Sequence, residues 1–399
     1  MSIARQKRAE LLTYFIIVVA FLDTMAQLPI LSPFVVSLGA GAVYTGVILG
    51  SYSLVNMLGN IAAGPIIDIY GRKKPIVLGM AVAGAAVAGY SLAVHPWQLL
   101  GFRIVHGMGG ALLIPAIFAY AGDKTKSGSV GRSMGFTGAA IAVAALMGPA
   151  LGGIGSAAFG TRFVFIATGV LLCLTAGVTA FTRFREDKAS STTRQKGTSP
   201  PEEVRTKLAF ALGSSALREA YYFVFTLTFA MGTLAFGMPL TLGNAGFSAA
   251  HTGMFMGIYA GTVILVLVLP SNRVSDIFGR VRAALSGSAC VCTALLMLSF
   301  FSSTLLITVA MILYGIGFGT MFPAVSAMIV DNTDTEKRGT AFGIFHAVFS
   351  LGTFTGPIAA GIVAQAGTQP FWAAIGIFLL TGMVYSGKSL LNRFSSASA

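Results

Sequence analysis

Charge is what this sequence has least of. Asp, Glu, Lys and Arg make up 10% of its 399 residues, against about 25% in an ordinary soluble domain. Too few charged residues are present to coat a water-soluble globule. Acidic side chains are the scarcest, 13 against 26 basic ones. Only three cysteines occur, Cys173, Cys290 and Cys292. All lie in apolar runs, so they read as small core residues and give no disulfide framework. No two of the four histidines have metal-ligand spacing, and no cofactor is expected. Long polar stretches are also missing, apart from residues 183–207, which leaves no room for a soluble domain. The first apolar run is not a cleavable leader: it is too long, carries Asp23 and lacks a small-residue cleavage site.

What fills the chain instead is hydrocarbon. Hydrophobic residues reach 55% and the mean hydropathy is +0.82. Crossing a hydrocarbon core of roughly 30 Å takes about 20 helical residues. Twelve such spans are expected, near 11–37, 45–67, 75–94, 97–120, 132–155, 163–182, 219–243, 251–270, 282–302, 304–330, 339–365 and 370–391. Runs of this length are too long for barrel strands, and in lipid the remaining way to satisfy the backbone is a helix. The expected fold is therefore an all-α polytopic membrane protein. Its 49 glycines suit helices that approach closely.

The net charge of +13 raises nucleic-acid binding as a reading, but the basic residues sit in short loops. With the N-terminus inside, 24 of the 26 fall on the cytoplasmic side; Arg162 is external and Arg103 lies within a span. That bias places both termini in the cytoplasm of a cell-membrane protein, the plasma or bacterial inner membrane. The polar stretch 183–207 reads as a flexible linker. It divides the chain into a six-helix bundle at 1–182, a linker at 183–213 and a second bundle at 214–399.

The halves repeat. A shift of 208 carries Asp68, Gly71 and Arg72 onto Asp276, Gly279 and Arg280. It also carries Gly107, Gly109 and Pro115 onto Gly315, Gly317 and Pro323, Asp123 onto Asp331, and Gly148-Pro149 onto Gly356-Pro357. One offset over separate regions marks an internal duplication, as in one large class of secondary transporters.

Between the second and third spans stands "GPIIDIYGRKK", with Gly64, Ile66, Ile67, Asp68, Gly71, Arg72 and Lys73. This stretch, echoed in "NRVSDIFGR", resembles the loop signature of the major facilitator superfamily, and the resemblance covers essentially the whole chain. Its twelve-span drug:proton antiporter branch is the most similar. The resemblance implies that Asp68 meets the start of the eleventh span near Gly339 when the cytoplasmic side is closed. It also implies that Arg72 holds Asp68 and Asp123, with Asp276, Arg280 and Asp331 repeating the arrangement as a latch. A plain topological role suffices for Lys73 and Lys74.

"FRIVHGMGG" in the fourth span resembles the family's Arg-led motif, with His106 where Gln is usual. Arg103 and His106 share a helix face, and His106 is either a proton carrier or a hydrogen-bond donor. "AVAALMGPALGGIG" in the fifth span, with Gly148, Pro149, Gly152 and Gly153, resembles the antiporter pattern; Gly356 and Pro357 repeat it. Mechanically it is a bend with close packing. Asp23, about twelve residues or roughly 18 Å into the first span, sits near the bilayer middle. An acid there is expensive and marks a polar path; pairing with Arg103 is expected. Gln27 lies one turn on. Asn56, Asn60 and His346 are further cavity candidates.

Taken together, these features imply proton-coupled export of small amphipathic or cationic compounds by alternating access, driven by a proton gradient and carried out by a monomer. A carrier for a sugar or a lipid is the alternative; the second half has few hydrogen-bonding side chains for a sugar. An enzyme lacks a nucleophile-base set, and a receptor lacks a sensory domain.

Overall fold

The computed structural model describes residues 3–123, 130–182, 200–269 and 277–397. Among the described residues every regular element is a helix. Nine are long and apolar enough to cross a membrane, and a bent pair, Leu11–Gln27 with Leu31–Ser37, makes a tenth span. The other two expected spans are the Lys73–Tyr90 helix, whose first turn carries two lysines, and the last helix, apolar over Trp372–Tyr385.

The first span departs from the expected continuous rod. It breaks at residues 28–30 and turns by 48°. Pro29 and Pro33 explain this: neither has an N–H to donate, and each ring crowds the preceding turn. The expected linker departs as well. Its last part forms a helix, Pro200–Gly213, opening on Pro-Pro-Glu-Glu. Proline suits a first helical turn and acids suit its positive end. Phe210 of this helix lies under Lys337 at the start of the eleventh span, 4.2 Å from ring centroid to Nζ.

The packing repeats with the sequence. The third span packs on the fourth and sixth, the second on the fourth, and the first on the fifth. The ninth packs on the tenth and twelfth, the eighth on the tenth, and the seventh on the eleventh. Close glycine contacts recur at the same offset. A Cβ on Gly79 would lie 2.8 Å from the Gly109 carbonyl oxygen, and one on Gly287 would lie 2.7 Å from that of Gly317. Across the halves, the second span meets the eleventh and the fifth meets the eighth.

Those crossings lie at the end away from the basic loops. A Cβ on Gly46 would strike the Pro357 carbonyl, and one on Gly253 would strike the Pro149 carbonyl. Ser32 Oγ donates to the Phe236 carbonyl across the same seam, at 3.0 Å. Toward the basic end the helices part. Gly64 on the second span, and Gly339 and Gly343 on the eleventh, face open space. Among the described residues, the molecule is sealed at one end and split at the other.

Candidate functional site

Five polar or ionisable side chains from three spans converge in the first half. Asp23 and Gln27 come from the last two turns of the Ile3–Gln27 helix, just before its break. Arg103 and His106 come from the Pro96–Asp123 helix, and Tyr90 from the final turn of Lys73–Tyr90. All are covered: Asp23 is 2% exposed and His106 1%. The acid therefore points into protein, not into acyl chains.

The contacts form a chain. Gln27 Nε2 donates to Asp23 Oδ1 at 2.8 Å, and His106 Nε2 meets Asp23 Oδ2 at 2.7 Å. The other ring nitrogen, Nδ1, meets the Tyr90 hydroxyl at 2.8 Å. With a neutral imidazole, Nε2–H donates to the carboxylate and Nδ1 accepts from Tyr90. With an imidazolium, both nitrogens donate.

Arg103 sits differently from expectation. The direct pair with Asp23 is not made. Its Nη1 donates to Gln27 Oε1 at 3.3 Å, so the amide relays between acid and base. Its Nε donates to the Ile48 carbonyl at 3.2 Å, and its Nη2 to the Leu49 carbonyl. A carbonyl has two lone pairs, so one used inside a helix still accepts a second donor. The guanidinium also lies 5.2 Å from the Tyr52 ring centroid, and Tyr52 stands 4.6 Å from His106, ring to ring. Geometry gives the reason: His106 reaches the carboxylate first, and the second-span carbonyls take the longer arginine.

Such a cluster has simple charge bookkeeping. Ionised Asp23 and Arg103 cancel, and one added proton leaves a net positive charge in a low-dielectric site. Carboxylate and imidazole, two ionisable groups, share one hydrogen bond. Tyr52 and Tyr90 escaped sequence reasoning: Tyr90 ends its span and reads as an interface anchor, and Tyr52, well inside the Ala42–Tyr70 helix, belongs to no motif.

The remaining candidates are scattered. Asn60 Nδ2 donates to Asn56 Oδ1 at 3.0 Å along one helix face. His346 is exposed, 5.5 Å from the Phe345 ring, and makes no hydrogen bond to any described residue. In the second half Arg280 Nε binds Asp331 Oδ2 at 3.0 Å. In the first, Arg72 donates to the Ile67 carbonyl at 3.2 Å. Lys73 Nζ caps the sixth span through the Ala180 carbonyl at 2.7 Å, a partner its topological role did not require. The side chains of Asp68 and Asp123, and residue Asp276, lie outside the described residues. The Gly-Pro motifs line the seam between halves and the neighbouring packing. Gly148 and Gly152 lie against Met25 and Ala26, Gly153 against Ala249, and Gly356 against Phe229.

A profile of the Major Facilitator Superfamily matches residues 13–268 and 220–391. Multidrug resistance protein 2 of Bacillus subtilis is 24% identical over 390 residues, covering 96% of this chain and 95% of its own. The class G tetracycline resistance protein of Vibrio anguillarum is 28% identical over 338 residues, 83% of each chain. Among solved structures, a bacterial homolog of the human lysosomal transporter Spinster, inward-facing and unoccupied, superimposes with a TM-score of 0.79 at 17% identity. That match covers 99% of this chain and 87% of the other. A substituted form of the nucleoside transporter NupG gives 0.82 at 13% identity, over 95% and 99%.

Proposed function

Because the chain belongs to the major facilitator superfamily and is a membrane transporter, we propose that it exports small amphipathic or cationic compounds in exchange for protons. The resistance functions named for the two bacterial relatives support that substrate class. The inside-positive bias of Lys and Arg makes the split end cytoplasmic, so the state is inward-facing with its outer seam shut. Transport then follows from rocking of the halves about a central site.

One observation carries the proton reading: Asp23 is buried and held by His106 and Gln27, with Gln27 linking it to Arg103. A proton arriving from outside neutralises Asp23. Gln27 and His106 then lose a charged acceptor, and charge-assisted hydrogen bonds are roughly twice as strong as neutral ones. The hold on Arg103 or on a cationic substrate slackens, and the empty carrier returns.

The test uses purified protein in sealed liposomes with ethidium as the cargo. The parent should move ethidium against a proton gradient, and an Asp23→Asn variant should run at the same rate with or without the gradient. Gradient-driven transport by that variant at the parental rate refutes the proton role. A parent that moves no ethidium refutes the substrate class.

A further inference from the structure

The duplication carried the polar stripe of the fourth span into the tenth and altered its chemistry. A shift of 208 places Arg103, His106, Gly110 and Ile114 on Met311, Tyr314, Phe318 and Phe322, and Asp23 on Met231. A ring pair recurs one residue out of register: Tyr52 maps onto Ala260, but its neighbour Tyr259 stands edge-on to Tyr314 at 5.2 Å. The charge does not survive.

What replaces it is graded in depth. Met311 and Tyr314, nearer the sealed end, are fully covered, and the Tyr314 hydroxyl has no hydrogen-bond partner among the described residues. Further toward the split end, Phe318 and Phe322 are half-buried. Their rings lie 5.8 Å apart and nearly parallel, at 9°, and Phe322 extends across to Phe349 of the eleventh span at 6.5 Å. The spacing of these residues puts them on one helix face. Another face of the helix is taken by the ninth span, through Gly317 on Gly287. The stripe thus runs from a closed floor to open rings where the halves part. At the matching first-half position the space is taken: a Cβ on Gly110 would already meet the Tyr52 hydroxyl at 2.6 Å and the Asn56 amide at 3.0 Å.

We infer that the face built by Phe318, Phe322 and Tyr314 is the cargo-binding surface, and that it takes compounds with a flat aromatic ring system bearing a hydrogen-bond acceptor. Two parallel rings present π-faces on which a third flat ring stacks. The unsatisfied hydroxyl supplies a donor whose cost is recovered when an acceptor arrives. One repeat thus handles the ion and the other the cargo. This rests on the export reading above, and it narrows that reading from amphipathic compounds in general to flat aromatic ones.

Binding to detergent-purified protein separates the two. Ethidium is the flat aromatic probe and dodecyltrimethylammonium the aliphatic cation. In a Phe318→Leu/Phe322→Leu variant, ethidium affinity should fall about ten-fold, as the loss of two ring contacts implies, while dodecyltrimethylammonium affinity changes less than two-fold. Leucine keeps the apolar bulk, and a parental melting temperature shows that the variant folds. Tyr314→Phe, which deletes only the hydroxyl, should weaken a flat dye carrying a ring carbonyl but leave ethidium unchanged. Equal losses for both cations, or no loss for either, overturn the aromatic surface while leaving export intact. A parent that binds neither cation overturns both readings.

Discussion

Ser32 Oγ donates to the Phe236 carbonyl at 3.0 Å, joining the short stub of the first span to the seventh span of the other repeat. Ser32 is fully buried, so the bond lies within the seam that closes the sealed end. Opening that end must break it.

Labelling therefore reports the seam. In a background without native cysteines, Ser32→Cys should resist a membrane-impermeant thiol reagent added outside. Adding Gly46→Ala places a methyl against the Pro357 carbonyl, an overpacking worth about 1–3 kcal/mol. That shifts the balance toward the outer-open form, and labelling should speed up at least five-fold. Unchanged labelling in the double variant would count against the seam.

His106 admits a direct choice between its two roles. His106→Gln keeps a donor for Asp23 but cannot hold a proton at neutral pH; His106→Ala keeps neither. If His106 only orients the acid, the glutamine variant should retain gradient-driven dye transport within about three-fold while the alanine variant loses it. Loss in both assigns the proton to the imidazole. Transport assays at several pH values distinguish these outcomes.

Arg103→Lys should fail despite keeping its charge. The guanidinium reaches Gln27, Ile48 and Leu49 at once, and an ammonium on a flexible stem does not reproduce that fork. Transport should fall at least ten-fold. Thermal unfolding should show a loss of about 1–3 kcal/mol from carbonyl contacts removed in a buried site.

The glycine pairs test the repeat itself. Gly79→Ala and Gly287→Ala each force a methyl onto a facing carbonyl, of Gly109 and Gly317 respectively. Each should destabilise its own half by roughly 1–3 kcal/mol, with similar shifts in melting temperature. A large effect in one half alone would show that the halves pack differently.

Much of this architecture is legible before any coordinates. The 208-residue offset, the Gly-Pro pairs and the lone acid at position 23 reflect covalent spacing and hydropathy, which a sequence carries openly. The site's wiring is less legible. That Arg103 spends its donors on two second-span carbonyls has no side-chain signature, because every helix residue carries a carbonyl. Tyr52 and Tyr90 join the cluster only through the rotation and depth of their helices. Gln27 is visible as a neighbour of Asp23, but its relay to Arg103 needs two helices in register. The break at Pro29 and Pro33 was readable from proline's missing donor, yet continuous hydropathy across it suggested a single rod.

That broken span has a mechanical consequence. Its longer rod holds the buried carboxylate, its short stub holds the Ser32 clasp, and three residues of turn form the knuckle between them. Any change at the carboxylate and any unfastening of the stub are therefore movements of two limbs on one joint. Splinting that joint should stall the carrier without touching either end.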